Sequence, residues 1–238
     1  MKILAGMQPY FFPYLGYFDL IYNVDTWIVF DTPQYIKEGW VHRNRILHPK
    51  EGWRYIIVPI QKHAMDTPIN KIAICSDQPW KEKVMRQLSE YKKKAPFYKP
   101  TVSLVEDCLA IEEPLLSRLN IFILEKVCDF LDIPFRGSVF SEMNLELGAV
   151  TKSGDWALRI CQAMGADVLV NPPGGRHLYD AAEFQRNGVR LIIREFENMV
   201  YSCEPLKFEP ALSIIDVLMW NSPKTIRDYL ESKRIRLE

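Results

Sequence analysis

The sequence has no excess charge of either sign, few histidines and no cysteine pairs. Lys+Arg and Asp+Glu both total 30 in 238 residues, so the formal net charge is zero. A general nucleic-acid binder would show a basic surplus, and that class is set aside. The five cysteines (Cys75, Cys108, Cys128, Cys161 and Cys203) are odd in number and form no C-x-x-C pair. That argues against a disulfide framework or a zinc knuckle and favours a reducing, cytoplasmic setting. No apolar run approaches the roughly 20 residues of a membrane span, and no basic-then-apolar leader opens the chain. G-x-S-x-G, H-E-x-x-H, G-x-G-x-x-G and P-loop patterns are all missing, as is any His/Cys cluster at metal spacing. The expectation is a soluble protein with no metal and no bound cofactor. Hydrophobic residues make up 48% and charged residues 25%, enough apolar content for a well-formed core.

What is present concentrates between Gln8 and Arg45: QPYFFPYLGYFDLI, then VDTWIVFDTPQYIKEGW, then VHRNRIL. Lys2 to Met7 reads as a buried strand that Gln8-Pro9 ends, because proline restricts its predecessor and cannot donate to a sheet. Leu15, Phe18, Ile21 and Tyr22 recur at helical spacing, and Trp27 to Phe30 is rich in β-formers. Strand, helix and strand in that order predict a βαβ unit with parallel pairing. Arg45 to His48 and Trp53 to Pro59 read as two further strands, and Ile69 to Cys75 as another. Trp80 to about Leu131 is helical by its apolar stripes. The second half alternates again: a strand over Phe135 to Ser141, a helix over Asp155 to Met164 stopped at Gly165, and a strand over Asp167 to Val170. A helix over Tyr179 to Asn187, a strand over Val189 to Arg194 and helices over Leu212 to Trp220 and Lys224 to Leu230 complete it. No repeat, low-complexity tract or linker divides the chain. The predicted fold is a single α/β domain with a mixed, largely parallel sheet flanked by helices and a helical middle segment.

Several residues could carry chemistry. Asp31 ends an apolar strand, where α/β proteins assemble their sites, and could act as a general base; a turn-capping aspartate before Thr32-Pro33 explains it as well. His42 lies beside Arg43, which would lower its pKa and keep it neutral; an exposed histidine is the plainer reading. If that segment is extended, His42 and Asn44 share one face and Arg43 and Arg45 the other. The arginines could clamp a phosphate or carboxylate, or simply form surface ion pairs. Tyr10, held in a loop by Pro9 and Pro13, suits stacking on a sugar or base. Asn171-Pro-Pro-Gly-Gly175 follows a strand; Gly174 and Gly175 could let backbone amides approach an anion, or form a plain turn.

These motifs together resemble the WbqC-like protein family. The similarity rests on QPYFFPYLGYFDLI, Asp31, Gln34-Tyr35, Gly39-Trp40 and Arg43-Asn44-Arg45. It continues through Asn171-Pro-Pro-Gly-Gly175, Leu178-Tyr179, Phe184, Gly188, Tyr201 and Leu212-Ser213-Ile214-Ile215-Asp216, so it spans almost the whole chain. His42 stands where many relatives carry asparagine, which turns attention toward Gln8, Asp31, Arg43 and Asn44. The resemblance implies a role in bacterial surface polysaccharide (O-antigen or capsule) biosynthesis. It implies transfer of glycine or another acyl group to an amino sugar, with a sugar nucleotide as acceptor and an acyl carrier protein thioester as donor. Asp31, His42 and Asn44 are then the catalytic candidates. Gln8, Tyr10, Gln34, Arg43, Arg45, Asn171, Gly174, Gly175 and Tyr179 are candidates for binding substrate. The alternative is a nucleotide- or nucleotide-sugar-binding protein of nucleotidylyltransferase-like topology with no acyl-transfer activity.

Overall fold

A computed structural model describes residues 1–235. The chain runs through β1 (Ile3–Met7), α1 (Leu15–Tyr22), β2 (Thr26–Val29), β3 (Arg43–Leu47) and β4 (Trp53–Ile57). Three helices follow, α2 (Trp80–Leu88), α3 (Tyr98–Leu109) and α4 (Leu116–Leu131), before β5 (Gly137–Val139), α5 (Asp155–Met164) and β6 (Val168–Asn171). Then come α6 (Ala181–Arg186), β7 (Arg190–Ile193), α7 (Ile214–Trp220) and α8 (Pro223–Ser232).

Five strands form one parallel sheet in the order β5-β2-β1-β6-β7, and β3 and β4 form a separate antiparallel hairpin. This is an α/β protein with helices on both faces of the sheet, as expected. Alternation along the strands divides the core in two. Ala5, Trp27, Val29, Val168 and Val170 face the larger core, with α1, α3, α4 and α7. Leu4, Ile28 and Leu169 face the smaller one, with Leu158, Ile160 and Cys161 of α5 and Phe184 of α6. Among the described residues no helix is long and apolar enough to cross a membrane.

Three elements differ from expectation. Ile69 to Cys75 does not make a strand; Ile69–Lys71 form a 3-10 turn, followed by single bridges from Ala73 to Leu115 and from Ile74 to Ile60. Pro59, Pro68 and Pro114 border these pairings, and proline supplies no N–H to extend a ladder. β3 begins at Arg43, earlier than expected, which draws Arg43 and Asn44 into the hairpin. α6 begins at Ala181 because Asp180 caps it, accepting the Ala182 N–H at 3.0 Å, so Tyr179 stays extended. Helix α5 ends as predicted, with Gly165 in the left-handed region at φ 60°.

Candidate functional site

The sheet order reverses beside β1. From β1 the chain crosses through α1 to β2 on one side, while β6 lies on the other and leads through α6 to β7. Ligands in open parallel sheets bind outside the carboxyl ends of the strands at such a switch point. A cavity of about 670 Å³ opens there. Gln8 follows β1, Phe30 and Thr32 follow β2, Asn171 ends β6, and all four line it. Ser153 and, at the spacing of one helical face, Trp156, Ala157 and Ile160 close it from the α5 side.

Seven of the expected substrate-binding residues reach this wall: Gln8, Tyr10, Gln34, Asn171, Gly174, Gly175 and Tyr179. The Gln8 carboxamide has no hydrogen-bond partner among the described residues; only its backbone carbonyl is used, by the Tyr17 hydroxyl. Asn171 Nδ2 donates to the adjacent Pro172 carbonyl at 3.1 Å, and its Oδ1 accepts nothing from the described residues. Gln34 Nε2 donates to the Met65 carbonyl at 2.8 Å, which fixes the loop at the mouth. Burial raises the pKa of Tyr10, with Tyr14 adding to it, and burial likewise raises that of Tyr179. Both phenols therefore keep their protons at neutral pH and serve as donors. Gly175 has a packing reason as well. A Cβ there would lie 2.6 Å from Asn171 Nδ2 and 3.3 Å from the Tyr179 ring, so glycine lets both side chains rest against the backbone.

The other five candidates lie off the cavity wall. Asp31 is buried and points across to the end of β5. It accepts the Ser141 N–H at 3.1 Å and the Ser141 hydroxyl at 2.7 Å, which ties two strand ends together. Asn44, only 4% exposed, donates both amide hydrogens to backbone, at 3.0 Å to Phe11 O and 2.9 Å to Phe12 O. Phe12 has a φ of 39°, a conformation that costs a non-glycine residue energy, and Asn44 and the Ser213 hydroxyl both hold its carbonyl. Arg43 donates to the Glu38 and Gly39 carbonyls and stacks over Tyr55. Arg45 lies between Trp40 and Trp53 and donates to the Ala211 carbonyl at 3.1 Å. His42 Nδ1 is 2.7 Å from the Tyr35 hydroxyl; burial, with Arg43 adding to it, lowers its pKa to about 4. The imidazole is therefore neutral at pH 7, but it is engaged with Tyr35 away from the cavity.

The WbqC-like protein family matches residues 8–228. The chain belongs to that family. A relative, the uncharacterized protein Rv1507c of Mycobacterium tuberculosis, is 30% identical over 232 residues, covering 97% of this chain and 98% of its own. No solved structure matches the chain significantly. The match begins at Gln8 and includes both strand ends that bring carboxamides to the cavity wall, Gln8 and Asn171.

Sequence reasoning did not single out Trp156, Ser153 or Phe30. Trp156 packs edge-on against Phe140 and near Phe30, at centroid distances of 5.7 and 5.8 Å. The signal was available in the α5 stripe: Trp156, Ala157 and Ile160 follow helical spacing just after Ser153, but such a stripe more often packs core than lines a ligand site.

Proposed function

We propose that this WbqC-like protein is an acyl or aminoacyl transferase acting on an amino sugar, nucleotide-linked, in bacterial surface polysaccharide biosynthesis, with a carrier-protein thioester as donor. The observation that carries the reading is the pair of carboxamides at the ends of adjacent strands over a cavity at the switch point: among the described residues the Gln8 carboxamide has no partner, and Asn171 makes one bond, from Nδ2 to the Pro172 carbonyl. In amide formation the sugar amine attacks the thioester carbonyl carbon. A C–N bond forms, the C–S bond breaks, sulfur leaves as the thiol, and the proton lost from nitrogen balances it. Negative charge gathers on the carbonyl oxygen, and fixed N–H donors stabilise it. Gln8 Nε2 and Asn171 Nδ2 are the donors for that oxygen, and Tyr10 and Tyr179 supply ring faces and hydroxyls to the sugar. A nucleotide diphosphate then lies at the rim beside Gly174, Gly175 and Arg176.

Among the described residues no Asp, Glu, Lys, Arg or His lines the cavity. The protein's contribution is accordingly positioning and oxyanion stabilisation, with the amine entering as the free base. Asp31 and His42 are left out of the proton transfer. The rate should rise with pH until the substrate amine is deprotonated, with no inflection from an enzyme carboxylate. Incubation with amino-sugar nucleotides and acyl-carrier thioesters, read by mass spectrometry, tests the reading; a folded protein that gives no amide with any donor contradicts it. The same uncharged wall, with a sheet order suited to nucleotides, favours a second reading as a nucleotide-sugar-binding protein without transfer. Thermal stabilisation by sugar nucleotides in the absence of any product would select it.

A further inference from the structure

We propose that the inner part of the cavity is a slot for an uncharged, apolar acyl chain longer than acetyl or glycyl; the inference rests on the transferase reading and names the donor group. The cavity does not stop at the strand ends. Its wall runs back along β1 from Gln8 to the half-buried Gly6, and Leu4, 1% exposed, marks its closed end. That path lies between the sheet face and α5. Ile28 and Leu169 floor it beside Leu4, and Trp156, Ala157 and Ile160 roof it.

Three observations choose the occupant. First, among the described residues no lining residue is charged, so a diphosphate drawn into the slot would lose its hydration with no cation to replace it. A glycyl ammonium would be equally misplaced. An alkyl chain, in contrast, gains by leaving water. Second, the floor is open because residue 6 is glycine. A Cβ there would meet only Ile28, at 3.5 Å from its Cβ and 3.7 Å from its carbonyl oxygen, ordinary contacts at a backbone angle any residue adopts. Chain geometry does not demand glycine at this point of β1, and its absent side chain leaves room above the sheet. Third, polar groups gather at the outer end, where Gln8 and Asn171 would meet the thioester carbonyl. Beyond them the mouth exposes Ile36 (61%) and Leu178 (40%), apolar side chains that an entering chain would pass.

The test is calorimetric titration with acetyl-pantetheine and octanoyl-pantetheine, which share an uncharged head and differ in chain length. Octanoyl-pantetheine should bind more than about tenfold tighter, since each buried methylene adds to affinity. Gly6→Leu should erase that difference while weakening acetyl-pantetheine far less. Ala157→Phe fills the slot from the opposite wall and should do the same, which keeps the test decisive if one variant is unstable. Equal affinity for the two chains overturns the inference. So does a slot-filled variant that keeps the octanoyl preference, or one that loses binding of a nucleoside monophosphate instead. Binding is read without turnover, so its failure is separable from that of the transferase reading. Chain-length selectivity without amide product sinks only the transfer step; product formation without chain-length selectivity sinks only the slot.

Discussion

Gln8 and Asn44 are both carboxamides in the aromatic N-terminal block, and they do opposite things. Asn44 spends both amide hydrogens on the Phe11 and Phe12 carbonyls inside the hairpin region. Gln8 ends a central strand and meets no partner among the described residues. The same contrast separates the two regions as wholes. The β3–β4 hairpin holds Arg43 and Arg45, and each donates to a backbone carbonyl and lies over an aromatic face. The cavity wall, among the described residues, is uncharged; its Gln8 carboxamide has no partner and Asn171 makes a single bond, to the adjacent Pro172 carbonyl. Unspent capacity is not confined to the cavity, since Arg45 Nε and Arg54 Nε in the hairpin are buried without a partner; what sets Gln8 apart is that its free amide faces open space. A buried donor with two satisfied bonds has little left to offer a ligand.

Breaking the contrast on its structural side gives the largest effect. Asn44→Ala should cost about 2–3 kcal/mol in urea unfolding, because buried carbonyls lose their donors and the Phe12 backbone loses a clamp. The same variant should leave sugar-nucleotide affinity unchanged wherever it remains folded. On the cavity side, Gln8→Ala and Asn171→Ala should each lower ligand affinity or turnover about tenfold, the worth of a good hydrogen bond, in titration or product assays. The unfolding free energy of Gln8→Ala should move by no more than about 0.5 kcal/mol, and that of the buried Asn171→Ala by about 1 kcal/mol. Arg45→Met should cost about 1 kcal/mol through lost stacking between Trp40 and Trp53, measured by urea unfolding, with binding intact.

In pH dependence, two residues outside the cavity act with opposite sign. Burial, then Arg43, lowers His42 from 6.5 to about 4, so between those values the unfolded chain binds more protons and stability rises with pH. Burial raises Asp216 from 3.8 to about 6, against hydrogen bonds from Tyr91, Tyr201 and the Leu47 N–H. There the native state holds the extra proton, and stability falls as pH rises through about 6. Denaturation curves across this range should lose the rising contribution in His42→Asn and the falling one in Asp216→Asn. Identical pH profiles for these variants and the parent would contradict both assignments.

How much of this was legible in the sequence follows from range of interaction. The βαβ start, helix α5 with its glycine stop, and the strand before Asn171 depend on local periodicity and turn chemistry, and they were readable. So was the placement of Gln8 and Asn171, because strand ends followed by proline are conspicuous, and that of Tyr10 in a loop bracketed by Pro9 and Pro13. The fate of Asp31, Asn44 and Arg45 was not, since their partners are Ser141, Phe11 with Phe12, and Ala211. No local pattern announces a hydrogen bond between residues so far apart in the chain. His42 was read correctly as neutral next to Arg43, but its engagement with Tyr35 depended on how the intervening loop closes. Trp156 was hidden for a different reason: its helical stripe reads the same whether it packs core or roofs a cavity.

The six tryptophans offer the most direct measurement, because Trp156 lines the cavity while Trp40 and Trp53 stack on Arg45 in the hairpin region. In protein labelled with fluorotryptophan and assigned by single Trp→Phe substitutions, addition of a uridine-diphosphate amino sugar should shift the Trp156 fluorine resonance and leave those of Trp40 and Trp53 in place. Shifts at Trp40 and Trp53 with Trp156 unmoved would put the ligand on the arginine hairpin and contradict the account.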